Sequence, residues 1–197
     1  ASNLTAYVTS TFGVYKTTNA MGDVTNGTSS IGWQKILDEN DIPQQITRDG
    51  LIYNLEQDNP TRLDAYDIAY GYNSSGQVDV NQLYVTCRGK YLNGTGDDES
   101  VAYQCWIMNS SDGGSNWSVV GETAGFPADY ETLKRLVVRI SPDDPNILFV
   151  HGHIDGTSGD LGAGEGYIYK YDIANDAWIF SKYFNDSNPI WYGHETA

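Results

Sequence analysis

The sequence predicts an all-β fold made of β-propeller blades, each a four-stranded antiparallel meander, with about three blades in an incomplete ring. The composition is one reason: 21 Gly and 15 Tyr, with two Met and no long run of helix formers, are typical of short strands joined by turns. A four-strand pattern also repeats about every 40 to 60 residues. In each unit a Trp opens the last strand: Trp33, Trp117 and Trp178. A β-sandwich is the competing all-β fold, but it gives no reason for this recurring Trp.

The N-terminal part, residues 1–37, fits a partial first blade that lacks its first strand. Its three predicted strands run from Leu4 to Ser10, from Gly13 to Thr18 and from Trp33 to Leu37. Residues 38–63 are predicted to be an insertion between blades, where a short helix or an irregular cap could form. Ile52 and Leu55 are among its few apolar anchors.

The middle blade, residues 64–125, carries the complete pattern. Its predicted strands are Asp64 to Tyr70, Gln82 to Thr86, Val101 to Met108 and a last strand that opens at Trp117. Residues 126–185 repeat the pattern as a third blade, with strands Leu136 to Ile140, Ile147 to His151, Gly166 to Tyr171 and one that opens at Trp178. Residues 186–197, which contain Ile190-Trp191-Tyr192, fit the start of a further strand.

Three blades cannot close a ring, because propellers use ~4 to 8 of them. We therefore expect the chain either to be part of a longer propeller protein or to complement other copies in a ring or an extended assembly. The expected partners are other blades, of the same chain or of neighbouring chains. The chain begins with Ala, which fits both a processed mature form and part of a longer polypeptide.

The charge of the chain limits its partners. With 26 Asp and Glu against 11 Lys and Arg, the formal net charge is -15. A nucleic-acid partner is excluded, since binding phosphates requires Lys and Arg to displace condensed counterions, and an anionic membrane surface is disfavoured for the same reason. No apolar run reaches the ~20 residues that span a bilayer, so we expect no membrane insertion.

Seven Asn residues stand in Asn-x-Ser/Thr acceptor motifs for N-glycosylation, where 15 Asn and 30 Ser and Thr would give about two by chance. The excess predicts a secreted glycoprotein that is extracellular or on the cell surface. The alternative is that Asn, Gly, Ser and Thr crowd together in β-turns and inflate the count. The acceptors are Asn3, Asn26, Asn73, Asn93, Asn109, Asn116 and Asn185.

Cys87 and Cys105 lie on two predicted strands that flank the turn from Asn93 to Asp98. If this hairpin is centred on Gly96, the two residues fall directly opposite each other. Cβ atoms of such a pair are roughly 4.5 to 5.5 Å apart, so a modest adjustment permits a disulfide. An oxidising compartment favours that bond, and two reduced thiols on a buried face are the alternative.

The segment Ser110-Ser111-Asp112-Gly113-Gly114-Ser115-Asn116-Trp117 matches the pattern Ser-x-Asp-x-Gly-x-x-Trp. Asp112 can accept backbone N–H bonds in this turn, Gly114 allows a positive φ, and Trp117 can pack the turn against the blade. The segment resembles the Asp-box (BNR) repeat of a β-propeller superfamily whose members include sialidases, xyloglucan-active endoglucanases and the sortilin luminal domain. The resemblance implies that Ser110, Asp112, Gly114 and Trp117 are structural, so Asp112 is not a catalytic acid.

This resemblance brings no catalytic set with it. Sialidases of the superfamily have an Arg triad and an Arg-Ile-Pro motif, and this sequence contains no Arg-Ile-Pro. The endoglucanase branch uses two Asp residues on loops that face a cleft. Asp155, Asp160 and Glu165 could supply such a pair, but turn acids in an acidic chain are mostly solvated. We assign no catalytic residue and expect a protein that is not an enzyme.

His151 and His153 alternate on a predicted strand, so both imidazoles could reach one metal ion, with Asp155 or Asp160 nearby. The spacing fixes no third ligand, and polar histidines at a strand end are the simpler interpretation. The Gly-rich loop from Asp155 to Gly166 could hold Ca²⁺, but it lacks the EF-hand spacing and a P-loop Lys. We predict no cofactor.

Three functions remain open. The leading hypothesis is a non-catalytic scaffold, surface-coat or adhesion module, a glycosylated propeller segment of a larger secreted protein or assembly. One alternative is a fragment of a polysaccharide-active glycoside hydrolase that resembles the xyloglucan-active endoglucanases. The other is a receptor propeller that binds peptides in a central tunnel. Polysaccharides or proteins are the corresponding ligands.

Overall fold

The protein is all-β in the part that its structure describes. The computed structural model describes residues 4–20, 31–56, 63–94, 100–122, 126, 127, 133, 135–153 and 166–184. These residues form thirteen strands, grouped in three antiparallel sheets of three, six and four strands, and no helix. The all-β prediction is confirmed.

The first sheet contains strands β1 (Ala6–Ser10), β2 (Gly13–Thr17) and β3 (Gln34–Leu37), in that spatial order. Gly13 has a φ of 113°, and a Cβ atom at this position would lie 2.0 Å from the carbonyl oxygen of Leu37. Only Gly fits here, since β2 and the end of β3 approach so closely. The three strands predicted for residues 4–37 are confirmed, with ends that differ by one or two residues.

The middle sheet has six strands. They are β4 (Gln45–Arg48), β5 (Leu51–Leu55), β6 (Leu63–Tyr72), β7 (Val78–Asn93), β8 (Ser100–Ser110) and β9 (Ser118–Val119). The predicted four-stranded meander corresponds to β6-β7-β8-β9 and is confirmed.

A hairpin of β4 and β5 joins the same sheet, because the far end of the long strand β7 pairs with β5 through Tyr91 and Leu92. The expected helix or irregular cap is therefore wrong for residues 45–55. Asp49 and Gly50 both have positive φ, which fits the two-residue hairpin turns that Asp-Gly favours. Leu55 is buried at 2% exposure as predicted, whereas Ile52 points outward and is 55% exposed.

The third sheet is a four-stranded meander of β10 (Arg135–Ile140), β11 (Ile147–His153), β12 (Gly166–Asp172) and β13 (Ala177–Phe184). This confirms the four strands predicted between residues 126 and 185. The further strand predicted at residues 190–192 lies outside the described residues.

The middle sheet lies between the other two, and both of its faces are buried. One face packs against the first sheet, in a core that includes Val14, Leu37, Val85, Cys87 and Trp106. The other face packs against the third sheet, in a core that includes Tyr84, Cys105, Ile107, Leu136 and Val138. Residues 104–108 of β8 are consequently all buried, and their sequence reads as a nearly continuous apolar run.

Strand β6 lies beside both β1 and β10. The carboxylate of Asp67 on β6 accepts a hydrogen bond from the backbone N–H of Val138 at 2.9 Å and forms an ion pair with Arg139. The first strand of the β6–β9 meander is thereby fixed to the first strand of the third sheet. Within the described strands the three sheets do not close into a ring.

The prediction that Cys87 and Cys105 face each other is wrong by one residue. Asn93 pairs with Ser100, whereas a hairpin centred on Gly96 would place Asn93 opposite Glu99. Cys87 is therefore opposite Trp106, and the two cysteines point to opposite faces of the middle sheet, because a one-residue shift moves a side chain to the other face. Both are buried free thiols.

Candidate functional site

The turn between β8 and β9, from Ser110 to Trp117, is held by the side chains of its own first residues. The hydroxyl of Ser110 donates to the carboxylate of Asp112 at 2.8 Å and accepts the backbone N–H of Gly114 at 2.8 Å. The same carboxylate accepts the backbone N–H groups of Ser115 and Asn116, each at 2.9 Å. Asp112 thus satisfies the backbone donors of the turn, as its sequence pattern predicts.

These hydrogen bonds lower the pKa of Asp112 well below its usual range. The largest cause is the side-chain amide of Asn116, which donates to the carboxylate at 2.6 Å, followed by the backbone N–H of Asn116 and the hydroxyl of Ser110. Hydrogen bonds to the charged form favour that form. The carboxylate is therefore ionised at neutral pH and unsuited to donate a proton.

Gly113 and Gly114 both have positive φ, at 72° and 96°. A Cβ atom on Gly114 would lie 2.6 Å from the Cδ1 atom of Ile36, on strand β3 of the first sheet. Gly at position 114 therefore serves two purposes: it allows the backbone conformation, and it lets the turn approach the neighbouring sheet.

Two hydrogen bonds fix this turn to the first sheet. The indole Nε1 of Trp117 donates to the carbonyl oxygen of Ile36 at 2.5 Å, and the Nζ of Lys16 donates to the carbonyl oxygen of Gly113 at 2.9 Å. The Trp117 ring also packs against the core between the first and middle sheets. Trp117 thus joins two sheets, which is more than the packing within one blade that the motif predicts.

The other two recurring Trp residues stand at similar places in the chain but in different surroundings. Trp178 is the second residue of β13 and packs among aromatic rings, with its ring centroid 4.9 Å from that of Tyr171. Trp33 directly precedes β3 and is 46% exposed. The equivalence of the three Trp residues stays a prediction: Trp117 and Trp178 pack against a core, and Trp33 does not.

A polar cleft of about 470 Å³ opens between the Ser110–Trp117 turn and the first sheet. Its lining includes Lys16, Lys35, Gln34 and Ser115. The Nζ of Lys35 is 3.8 Å from the carboxylate of Glu39, so both lysines at this cleft have acceptors within the protein.

A smaller cleft of about 180 Å³ lies between strand β9 and the third sheet. It brings two carboxyl groups, Glu122 and Asp176, to one surface with Tyr84 and Tyr171. The hydroxyl of Tyr171 donates a hydrogen bond to Asp176, and burial, followed by this bond and the nearby charge, raises the pKa of Tyr171. The sequence gives no sign that these two carboxylates share a site, since they are 54 residues apart.

Four of the seven glycosylation acceptors lie in the described residues. Asn73 stands in the β6–β7 turn, Asn93 ends β7, Asn109 lies within β8, and Asn116 belongs to the Ser110–Trp117 turn. Asn3, Asn26 and Asn185 lie outside the described residues.

The metal candidates are only partly described. His151 is half-buried on β11, opposite Val137 and Ile168, and His153 ends the same strand. Asp155, Asp160 and Glu165 lie outside the described residues, as does nearly all of the loop from Asp155 to Gly166. Among the residues that are described, no three His, Cys, Asp or Glu side chains group to form a metal site.

Sequence reasoning missed the partners of the predicted turn. Lys16 donates one anchoring hydrogen bond, to a residue 97 positions away in the sequence. The carbonyl oxygen of Ile36 accepts the other, from a residue 81 positions away, and neither Lys16 nor Ile36 lies in a recognisable pattern. For Asp67, which joins β6 to β10, the sequence predicts only a place on a strand. Its signal was weak: a charged residue at the centre of the otherwise mostly apolar segment from Ala65 to Tyr70.

Comparison of the chain with protein-family models, with curated proteins and with solved structures finds no match. No helix of the described part is long and apolar enough to cross a membrane.

Proposed function

We propose that the chain is a non-catalytic scaffold, surface-coat or adhesion module: a glycosylated segment of an extracellular Asp-box β-propeller, acting within a larger protein or assembly. The observation that carries this proposal is the Ser110–Trp117 turn. The carboxylate of Asp112 accepts backbone N–H groups of the turn, and the indole of Trp117 donates a hydrogen bond to the first sheet. The motif therefore stabilises the fold, and its carboxylate, Asp112, is not available as a catalytic acid.

The stacking of the sheets supports a propeller. Consecutive four-stranded meanders pack face to face, as the blades of a propeller do, and their opening strands β6 and β10 lie side by side. The three-stranded first sheet continues the stack on the other side. On this proposal the outward faces of the first and third sheets receive further blades, from the same chain or from neighbouring ones.

The placement of the acidic side chains supports a structural role for the -15 charge. Besides Asp112, several carboxylates accept backbone N–H bonds within turns or at strand ends, which leaves their charge facing water. These are Asp38, Asp79, Asp144 and Asp172. The excess of glycosylation motifs supports an extracellular location for such a surface.

A hydrolysis assay tests the absence of catalysis. The chain, and any longer protein that contains it, is incubated with a panel of β-glucans and the release of reducing ends is measured. We expect release no greater than that from heat-denatured protein. Hydrolysis by the folded protein that is lost on substituting a pair of cleft carboxylates would overturn the scaffold proposal.

The second candidate function is a fragment of a polysaccharide-active glycoside hydrolase, favoured by one observation. Glu122 and Asp176 share a cleft with two tyrosines, and glycoside hydrolysis uses a pair of carboxyl groups. On this alternative, Glu122→Gln and Asp176→Asn each abolish hydrolysis. Asp172→Asn is the matched control, because that carboxylate accepts hydrogen bonds in the adjoining turn and does not line the cleft.

A further inference from the structure

The four described acceptor asparagines differ in what their amide nitrogen does. N-glycosylation takes place on the Nδ2 atom and replaces one of its two hydrogens, so an acceptor that holds this atom in the folded protein restricts where the sugar can be placed. The Nδ2 atom of Asn93 donates to the carbonyl oxygen of Ile52 at 2.6 Å, and that of Asn116 donates to Asp112 at 2.6 Å. Both bonds belong to the folded architecture.

Asn109 is the least suitable of the four. It lies in the interior of β8, paired with Tyr84 of β7, and its side chain is half-buried. Its Nδ2 atom donates to the carbonyl oxygen of Leu83 at 3.0 Å. The residue also lines the 180 Å³ cleft beside β9 together with Tyr171 and Asp176, so its surroundings leave less room for a glycan than those of an exposed turn.

Asn73 has the opposite arrangement. Its side-chain oxygen accepts the backbone N–H groups of Ser75 at 2.9 Å and of Gln77 at 3.1 Å, while its Nδ2 atom has no acceptor among the described residues. The backbone N–H of Gly76 donates to the carbonyl oxygen of Asn73 at 2.9 Å, and Gly76 has a φ of 71°. Every bond of this turn lies within residues 73–77, so the turn can form before the sheets assemble.

We infer that Asn73 is a glycosylated residue of the native protein and that Asn109 is not. In the reaction, the Nδ2 atom attacks the anomeric carbon of an oligosaccharide carried on a lipid pyrophosphate. A C–N bond forms as the C–O bond to the pyrophosphate breaks, the amide loses one proton to a base of the transferase, and the lipid pyrophosphate leaves. The side-chain oxygen of Asn73 keeps its hydrogen bonds from the backbone N–H groups of Ser75 and Gln77. This inference rests on the proposed extracellular location.

Site-resolved mass spectrometry tests the inference. The whole chain is expressed behind a secretory leader in eukaryotic cells, and the secreted protein is deglycosylated in heavy-oxygen water, which marks each formerly occupied Asn as labelled Asp. We expect label at Asn73 and none at Asn109. The Ser75→Ala variant should lose one glycan in intact mass, because it removes the acceptor motif while its backbone N–H still supports the Asn73 turn.

The matched variant is Ser111→Ala, which removes the motif of Asn109 at an exposed position and should leave the glycan mass unchanged. Secreted protein with label at Asn93, Asn116 or Asn109 but none at Asn73 would overturn the inference and keep the extracellular proposal. Secreted protein without label at any site would overturn the inference and the glycoprotein part of the proposed function together. The scaffold assignment is judged separately, by the hydrolysis assay.

Discussion

The indole nitrogen of Trp117 donates a hydrogen bond to the backbone carbonyl oxygen of Ile36, at 2.5 Å and across 81 residues of sequence. This bond joins the last turn of the middle sheet to the last strand of the first sheet. The Ser110–Trp117 turn, whose other side-chain bonds are local, therefore also sets how two neighbouring sheets are placed.

Replacing Trp117 with Phe should destabilise the protein by about 1 to 3 kcal/mol. The substitution keeps an aromatic ring but removes the N–H donor, leaves the Ile36 carbonyl without this partner and reduces the buried volume. Urea unfolding followed by circular dichroism measures the loss. Trp33→Phe is the matched control, since Trp33 is 46% exposed and should change stability by less than about 0.5 kcal/mol. Equal effects at the two positions would contradict the role given to Trp117.

Replacing Gly114 with Ala should cost roughly 2 to 3 kcal/mol, because a positive φ strains any L-residue and the new Cβ atom meets Ile36. Gly76→Ala isolates the first of these effects: Gly76 also has a positive φ, but nothing lies within 4 Å of an added Cβ atom. We expect about 1 kcal/mol for that variant. Thermal unfolding measures the stability of both variants. A Gly114 variant as stable as the Gly76 variant would contradict the close contact between Gly114 and Ile36.

Asp112 should make the stability of the protein depend on pH on the acid side. Its folded pKa is lowered, so the unfolded chain takes up a proton more readily. The stabilisation is therefore complete above the ordinary value of 3.8 and is lost as the pH falls below it. Asp112→Asn should be less stable than the native chain at pH 7, and the difference should narrow below about pH 4.

Urea titrations between neutral and acid pH measure this difference. Ser111→Ala changes an exposed neighbour in the same turn and no titrating group, so its difference from the native chain should not vary with pH. An Asp112→Asn difference that stays constant down to acid pH would contradict the lowered pKa.

Local patterns predicted most of the fold. The strands of the three sheets and the Ser110–Trp117 turn are specified by neighbouring residues: alternation, turn formers, and an Asp and two Gly where the turn needs them. The β4–β5 hairpin has a local signal too, since Asp49-Gly50 favours a two-residue hairpin turn, but the prediction of an insertion at residues 38–63 does not include it. What local patterns could not supply were contacts such as that between Lys16 and Gly113, which the stacking of sheets decides.

The register of β7 and β8 shows the same limit. The loop between these strands contains Gly, Asp and Thr residues that favour a turn but do not fix its centre to one residue. The native register is set instead by which residues each face must bury, with Val85 and Cys87 towards the first sheet and Tyr84 towards the third. A choice between two cores cannot be read from the hairpin alone.

Cys87 and Cys105 should therefore remain reduced even when the protein is produced in an oxidising compartment. The two thiols lie on opposite faces of one sheet, so no local adjustment brings their sulfur atoms together. Burial raises the pKa of Cys105 to about 12 and that of Cys87 well above its usual range, so little thiolate is available for oxidation. The intact mass should not change on reduction, and an aromatic disulfide reagent should titrate no thiol in the native protein and two after denaturation. A gain of two hydrogens on reduction, with the native circular dichroism spectrum retained, would contradict the register in which Cys87 lies opposite Trp106.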